Sequence, residues 1–180
     1  IDEKLGGTTP LEILIKLERD GEDLTPEDLK EMTPDEIKEE RQFLAQLRSK
    51  PELWFNPTKV EMIKKAHDYL DGLPEIGKVL SFASSVRVAE DFAEKKLDGL
   101  ELSILYSKLP AAVKKTIVEP FVSLKNNEVR LTARVLDSTP DLRRKDLLGK
   151  VRQNLLKENG LKQLSDFKPM IKDVTVSGLL

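Results

Sequence analysis

The side chains able to do chemistry in this chain are few in kind: one histidine, no cysteine, and a stock of 32 carboxylates and 30 cationic groups. His67 sits beside Ala66 and Leu70 at helical spacing, the setting of a half-buried helix histidine. Neither a catalytic triad nor a multi-histidine metal site is therefore expected. Without cysteine there is no thiolate nucleophile, no thiolate metal ligand and no disulfide framework. The acidic pairs Asp35-Glu36 and Glu39-Glu40 fall in a capped, highly charged helix, where solvated carboxylates are the ordinary state and general acid–base work has no partner.

Two segments resemble anion sites superficially. Gly6-Gly7-Thr8-Thr9 precedes a strand instead of joining a strand to a helix, and it lacks the lysine of a phosphate loop, so it reads as a hinge. Ser84-Ser85, leading into a helix at Val86, reads as a cap. Trp54 and Phe55 are the remaining candidates, as contacts to an apolar substrate. Two adjacent aromatics in a short linker either cover the core or face a groove. No catalytic residue, cofactor or metal ligand is expected, and the chain does not read as an enzyme.

The elements that must position these side chains follow from periodicity. Leu11, Ile13, Ile15 and Leu17 alternate with Glu12, Leu14 and Lys16, the pattern of a strand with one buried face. Thr25-Pro26-Glu27-Asp28 and Thr33-Pro34-Asp35-Glu36 each supply a threonine cap, a proline at the first helical position and acids in the first turn. The second of these helices is expected over about 34–48, with Ile37, Leu44 and Leu47 inward. Val60, Ile63, Ala66, Leu70 and Leu73 give a further helix after Asn56-Pro57, and Lys78–Ala83 reads as a buried strand. Helical faces follow, one carrying Val86, Ala89, Ala93, Leu97 and Leu100, the other Val113, Ile117, Phe121 and Leu124, with Pro120 kinking or ending the second.

Glu128–Asp137 alternates Val129, Leu131, Ala133 and Val135 with Arg130, Thr132 and Arg134, whose face is expected at solvent or at an interface. A helix over 141–158, stopped at Asn159-Gly160, and a strand over 173–177 complete the chain. The expected fold is α+β: two β-α-β halves forming a ferredoxin-like sheet with helical insertions. All 180 residues are expected to make one domain. Residues 1–85 form its first half with an acidic helical insertion at 18–55, residues 86–127 a helical connection, and residues 128–180 the second half.

The formal charge of −2 gives no electrostatic case for nucleic acid or for an anionic membrane surface. Charge is nonetheless uneven: residues 18–52 hold 12 acidic against 6 basic groups, residues 141–172 hold 4 against 9. Two solvated faces of opposite sign explain this, as would docking of one lobe on another or on a neighbouring copy. No run approaches the roughly 20 apolar residues of a membrane helix, and no signal segment opens the chain. A start at Ile1 and an end on an apolar run at Leu180 imply an excised fragment.

Four stretches together resemble the extracytoplasmic loops of the resistance-nodulation-division (RND) superfamily. The similarity is to its hydrophobe/amphiphile exporter branch, related to the mycobacterial lipid exporters. They are Ile1-Asp2 with Leu5-Gly-Gly-Thr-Thr-Pro-Leu-Glu-Ile13, then Leu70-Asp-Gly-Leu-Pro-Glu-Ile-Gly-Lys-Val-Leu-Ser81, then Ala133-Arg-Val-Leu-Asp137, and finally Val174-Thr-Val-Ser-Gly178. The resemblance implies a porter-like domain on the periplasmic or extracytoplasmic side of the cell membrane, part of an integral membrane protein. It implies proton-driven export of hydrophobic or amphiphilic molecules, with the proton-carrying groups in membrane helices outside these residues. The partners it implies are the rest of the same polypeptide, namely transmembrane helices and a second extracytoplasmic loop, with a homo-oligomer also open. A stand-alone binding or scaffolding module with no transport role is the alternative.

Overall fold

Alternation of side chains builds the sheet. In β1 (Thr9–Leu17), Leu11, Ile13, Ile15 and Leu17 are at most 2% exposed while Glu12 and Lys16 face solvent. β4 (Glu128–Val135) repeats the pattern, burying Val129, Leu131, Ala133 and Val135, and pairs antiparallel with β1 from Thr9 opposite Val135 to Lys16 opposite Glu128. The coordinates come from a computed structural model, which describes residues 7–18, 24, 26–50, 54–139, 142–156, 167 and 170–178.

β5 (Ile171–Gly178) lies on the other side of β1, while β2 (Ile76–Leu80) and β3 (Val122–Ser123) share the far edge of β4. The order is β2-β4-β1-β5, with every pairing antiparallel. Seven helices accompany the strands among the described residues: α1 (Asp28–Glu31), α2 (Pro34–Ser49), α3 (Pro57–Asp71), α4 (Phe82–Ala93), α5 (Gly99–Lys108), α6 (Ala111–Ile117) and α7 (Arg144–Leu156). The chain is thus a mixed α/β fold around an open five-stranded antiparallel sheet. Because β1 and β2 both oppose β4, they run in the same direction, joined through α1–α3; β4 and β5 likewise run together, joined through α7.

α3 begins where Asn56 Oδ1 accepts from the Lys59 amide at 2.8 Å with Pro57 at the first helical position, and it buries Val60, Met62, Ile63, Ala66 and Leu70. α7 adds Leu147, Val151 and Leu155 beside β5. These side chains and the inward strand residues form one continuous apolar cluster, each Val, Leu, Ile or Met contributing about 1.5–3 kcal/mol on full burial. The opposite face of the sheet carries the exposed Glu12, Lys16, Lys78, Arg130 and Arg134. At its margin Asp137 accepts from Thr9 and, at 2.7 Å, from Arg144, clamping the starts of β1 and α7 to the end of β4.

Several boundaries differ from the periodicity reading. β2 ends at Leu80, because Ser81 caps α4, accepting from the Ala83 amide at 3.1 Å, and draws Phe82 and Ala83 into the helix. The single helical face through Leu100 divides at Glu94, which is left-handed at φ 52°, into α4 and α5; Leu100 is 69% exposed. α6 stops at Ile117, and Phe121 and Leu124 lie beyond it around β3, a strand of two residues with too short a pattern to read. In α2, Thr33 and Glu36 form the expected reciprocal cap, yet Ile37 and Leu44 are only half-buried. The side chains of Leu47 and Thr25, and the Asn159-Gly160 stop, lie outside the described residues. Gly7 is a seat more than a joint: at φ 94° a Cβ there would meet the Val135 carbonyl oxygen at 2.7 Å.

Candidate functional site, an apolar groove

Between α4, α5 and the end of α6 lies a groove of about 720 Å³. Its position is set by caps and ties. Ser81 and Ser84 close a capping box on α4, and Asp98 and Glu101 close one on α5, with Glu101 N–H donating to Asp98 at 2.8 Å. Gly99 brings α5 hard against the linker before α3, where a Cβ would meet the Phe55 carbonyl oxygen and Pro57 Cδ, each at 2.7 Å. Glu90 of α4 takes Lys64 of α3 at 2.8 Å and the Leu97 amide at 3.1 Å. Burial opposes ionisation of Glu90, but these two donors hold its carboxyl below the usual range. Ser85 Oγ donates to the Ile117 carbonyl at 3.0 Å and ties α4 to the end of α6.

The floor is core: Phe55, Phe82, Val86, Leu102 and Val118 reach it from below and are all at most 6% exposed. The walls are open. Phe92 is 87% exposed, Val88 54%, Ile104 44% and Leu105 40%. Such a contiguous apolar surface, of a volume within the roughly 300–1,000 Å³ usual for small-molecule sites, is suited to an apolar ligand. Polar groups at its edge are Ser85, Glu101 and Lys108. Lys95 donates to Glu101 and holds that carboxyl low. The Lys114 ammonium stands 4.5 Å over the Tyr106 ring, whose phenol is pushed up by burial and by Glu119.

Of the two sequence candidates, Trp54 is 4% exposed and Phe55 1%. Trp54 donates its indole N–H to Asn127 Oδ1 at 3.0 Å and meets Phe55 edge-on at 5.1 Å, while Lys59 lies 5.5 Å from its ring. Phe55 continues through Phe82 at 5.4 Å and Tyr106 at 4.9 Å to the groove, so it is both core and floor. Trp54 is not among the groove's lining residues. His67 is buried more deeply than its helical position implies, at 7% exposure, with Nδ1 2.9 Å from Ser81 Oγ.

The wall residues were not identified from sequence. Their signal was a second apolar stripe, Val88 and Phe92 four residues apart on α4 and Ile104 and Leu105 on α5, off the core-facing line. Among the described residues, no group of three or more histidines and carboxylates is placed to hold a metal ion. Compared with family models, with curated proteins and with solved structures, the chain finds no match.

Proposed function

We propose that the chain is an extracytoplasmic domain of a proton-driven RND-type exporter, and that its groove holds a hydrophobic or amphiphilic substrate during passage. The observation that carries this reading is the groove itself: about 720 Å³ with a core floor and solvent-exposed Val88, Phe92, Ile104 and Leu105 walls. A folded soluble part leaves so much apolar surface uncovered where something apolar is to be bound. The sheet is consistent with the reading. The order β5-β1-β4-β2, with β3 at the edge and α4–α6 inserted, supports reading the sheet as a ferredoxin-like, porter-type unit. The sequence resemblance supplies the family, the periplasmic side and the partners, namely membrane helices and a second loop of the same polypeptide. No helix among the described residues is long and apolar enough to cross a membrane, so in this reading the proton-coupling groups belong to other parts of that polypeptide.

Two measurements test it. The neutral dye Nile red, titrated against the 180-residue chain, is expected to brighten on binding, and Ile104→Asp is expected to abolish the rise while leaving the unfolding transition in place. Binding indifferent to that substitution would remove the groove from the account. The coding sequence on both sides must also hold apolar runs of about 20 residues; without them the exporter assignment fails even if the groove binds dye.

A further inference from the structure

The two ends of the groove differ in charge. Where α5 begins, Glu101 lines the groove but already accepts from Lys95 and from the Asp98 amide, presenting a neutralised pair. Where α5 closes, Lys108 lines the groove, and Lys114 holds its ammonium 4.5 Å over Tyr106, another lining residue. Glu119 is the carboxylate whose charge reaches Tyr106 at this end. Two cations thus stand at this end, Lys108 on the groove's lining and Lys114 on Tyr106, with the Glu119 charge close by. A cation resting on an aromatic face is partly desolvated on that side, which strengthens its pull on an anion.

We infer that the groove takes a free, single-chain amphiphile with an anionic head, its tail along Val88, Phe92 and Ile104 and its head at Lys108 and Lys114. This rests on the substrate-binding reading above and adds polarity to it: the tail enters toward the start of α5, the head stays at its close. Charge complementarity selects this occupant over a cationic or uncharged one of the same length. It also fixes one orientation of the ligand, which an apolar groove alone would not.

The test compares three dodecyl probes by displacement of Nile red from the full chain: dodecanoate, dodecanol and dodecyltrimethylammonium. Dodecanoate is expected to bind about tenfold tighter than either of the others. The double substitution Lys108→Gln with Lys114→Gln is expected to erase that preference and leave dodecanol unchanged. Raising the salt concentration against the unaltered chain provides the same comparison without a variant, weakening dodecanoate alone. Equal affinities for all three probes, or a preference for the cation, overturn the head-group inference while the groove survives. If no probe binds, the substrate-binding reading itself falls. Co-sedimentation with phosphatidylglycerol vesicles, in the absence of any binding of free dodecanoate, would assign the lysines to a bilayer surface and overturn the inference.

Discussion

Two regions of this molecule treat the same kinds of side chain in opposite ways. Around β1, β4 and α3, nearly every Leu, Ile and Val has found a partner: Ile13, Ile15, Ile63, Leu70, Val129 and Leu131 are all 0% exposed. In the α4–α6 connection Val88, Phe92, Leu100, Ile104 and Leu105 remain 40–87% exposed. The difference is geometric. A sheet presents its apolar face as a plane that one helix layer can cover, whereas three short helices joined by tight caps can each bury only one stripe. The contrast separates residues whose burial stabilises the fold from apolar residues left at the surface.

The sharpest way to break that contrast is in the core. Leu131→Ala should lower unfolding stability by about 2–5 kcal/mol, read by urea denaturation, because the central strand cannot collapse around the lost atoms. A loss below about 1 kcal/mol would mean the strand is less tightly packed than described. Gly99→Ala comes next and bridges the two regions. Its methyl would strike the Phe55 carbonyl and Pro57, pushing α5 away from the linker, with an expected cost of about 1–3 kcal/mol and weaker dye binding together.

A smaller effect comes from His67. Burial, then the Arg87 charge, holds its imidazole below the ordinary 6.5. Just below that pH the unfolded chain carries the proton and the folded chain does not, so the unfolded state binds more protons and stability falls with falling pH. Above the unfolded value its contribution is constant. Urea midpoints at pH 7.5 and 5.5 should therefore show a decline that His67→Gln reduces; an identical decline in the variant would assign it elsewhere. Smallest of all, Phe92→Ser should change stability by no more than about 0.5 kcal/mol. The same variant should still reduce dye affinity, since its ring is 87% exposed. If stability fell sharply while dye binding held, the assignment of Phe92 to the open region would be lost.

How much of this could be read from the sequence follows the same division. β1, β4 and α3 were legible because alternation and helical spacing are printed directly in their residues, and Asn56-Pro57 marks the start of α3 unambiguously. Ser81 was not recognised as a cap, since apolar Phe82 and Ala83 continue the run of β2 and only the hydrogen bond to the Ala83 amide reveals the change of element. For Trp54 and Phe55 sequence offered two roles, core or groove, without a means of choosing. The structure places both rings in the core and brings one of them, Phe55, to the groove floor, through contacts with Phe82 and Tyr106 that come from distant parts of the chain. The groove was hidden because an uncovered apolar stripe looks like any other stripe until its neighbours are known.

Glu90 has a mechanical consequence. The carboxylate that grips Lys64 on α3 also receives the Leu97 amide at the approach to α5, so one side chain joins the core helix to a residue that lines the groove. Protonation of Glu90 removes the negative charge that both donors meet, so the tie between α3 and the approach to α5 weakens in acid.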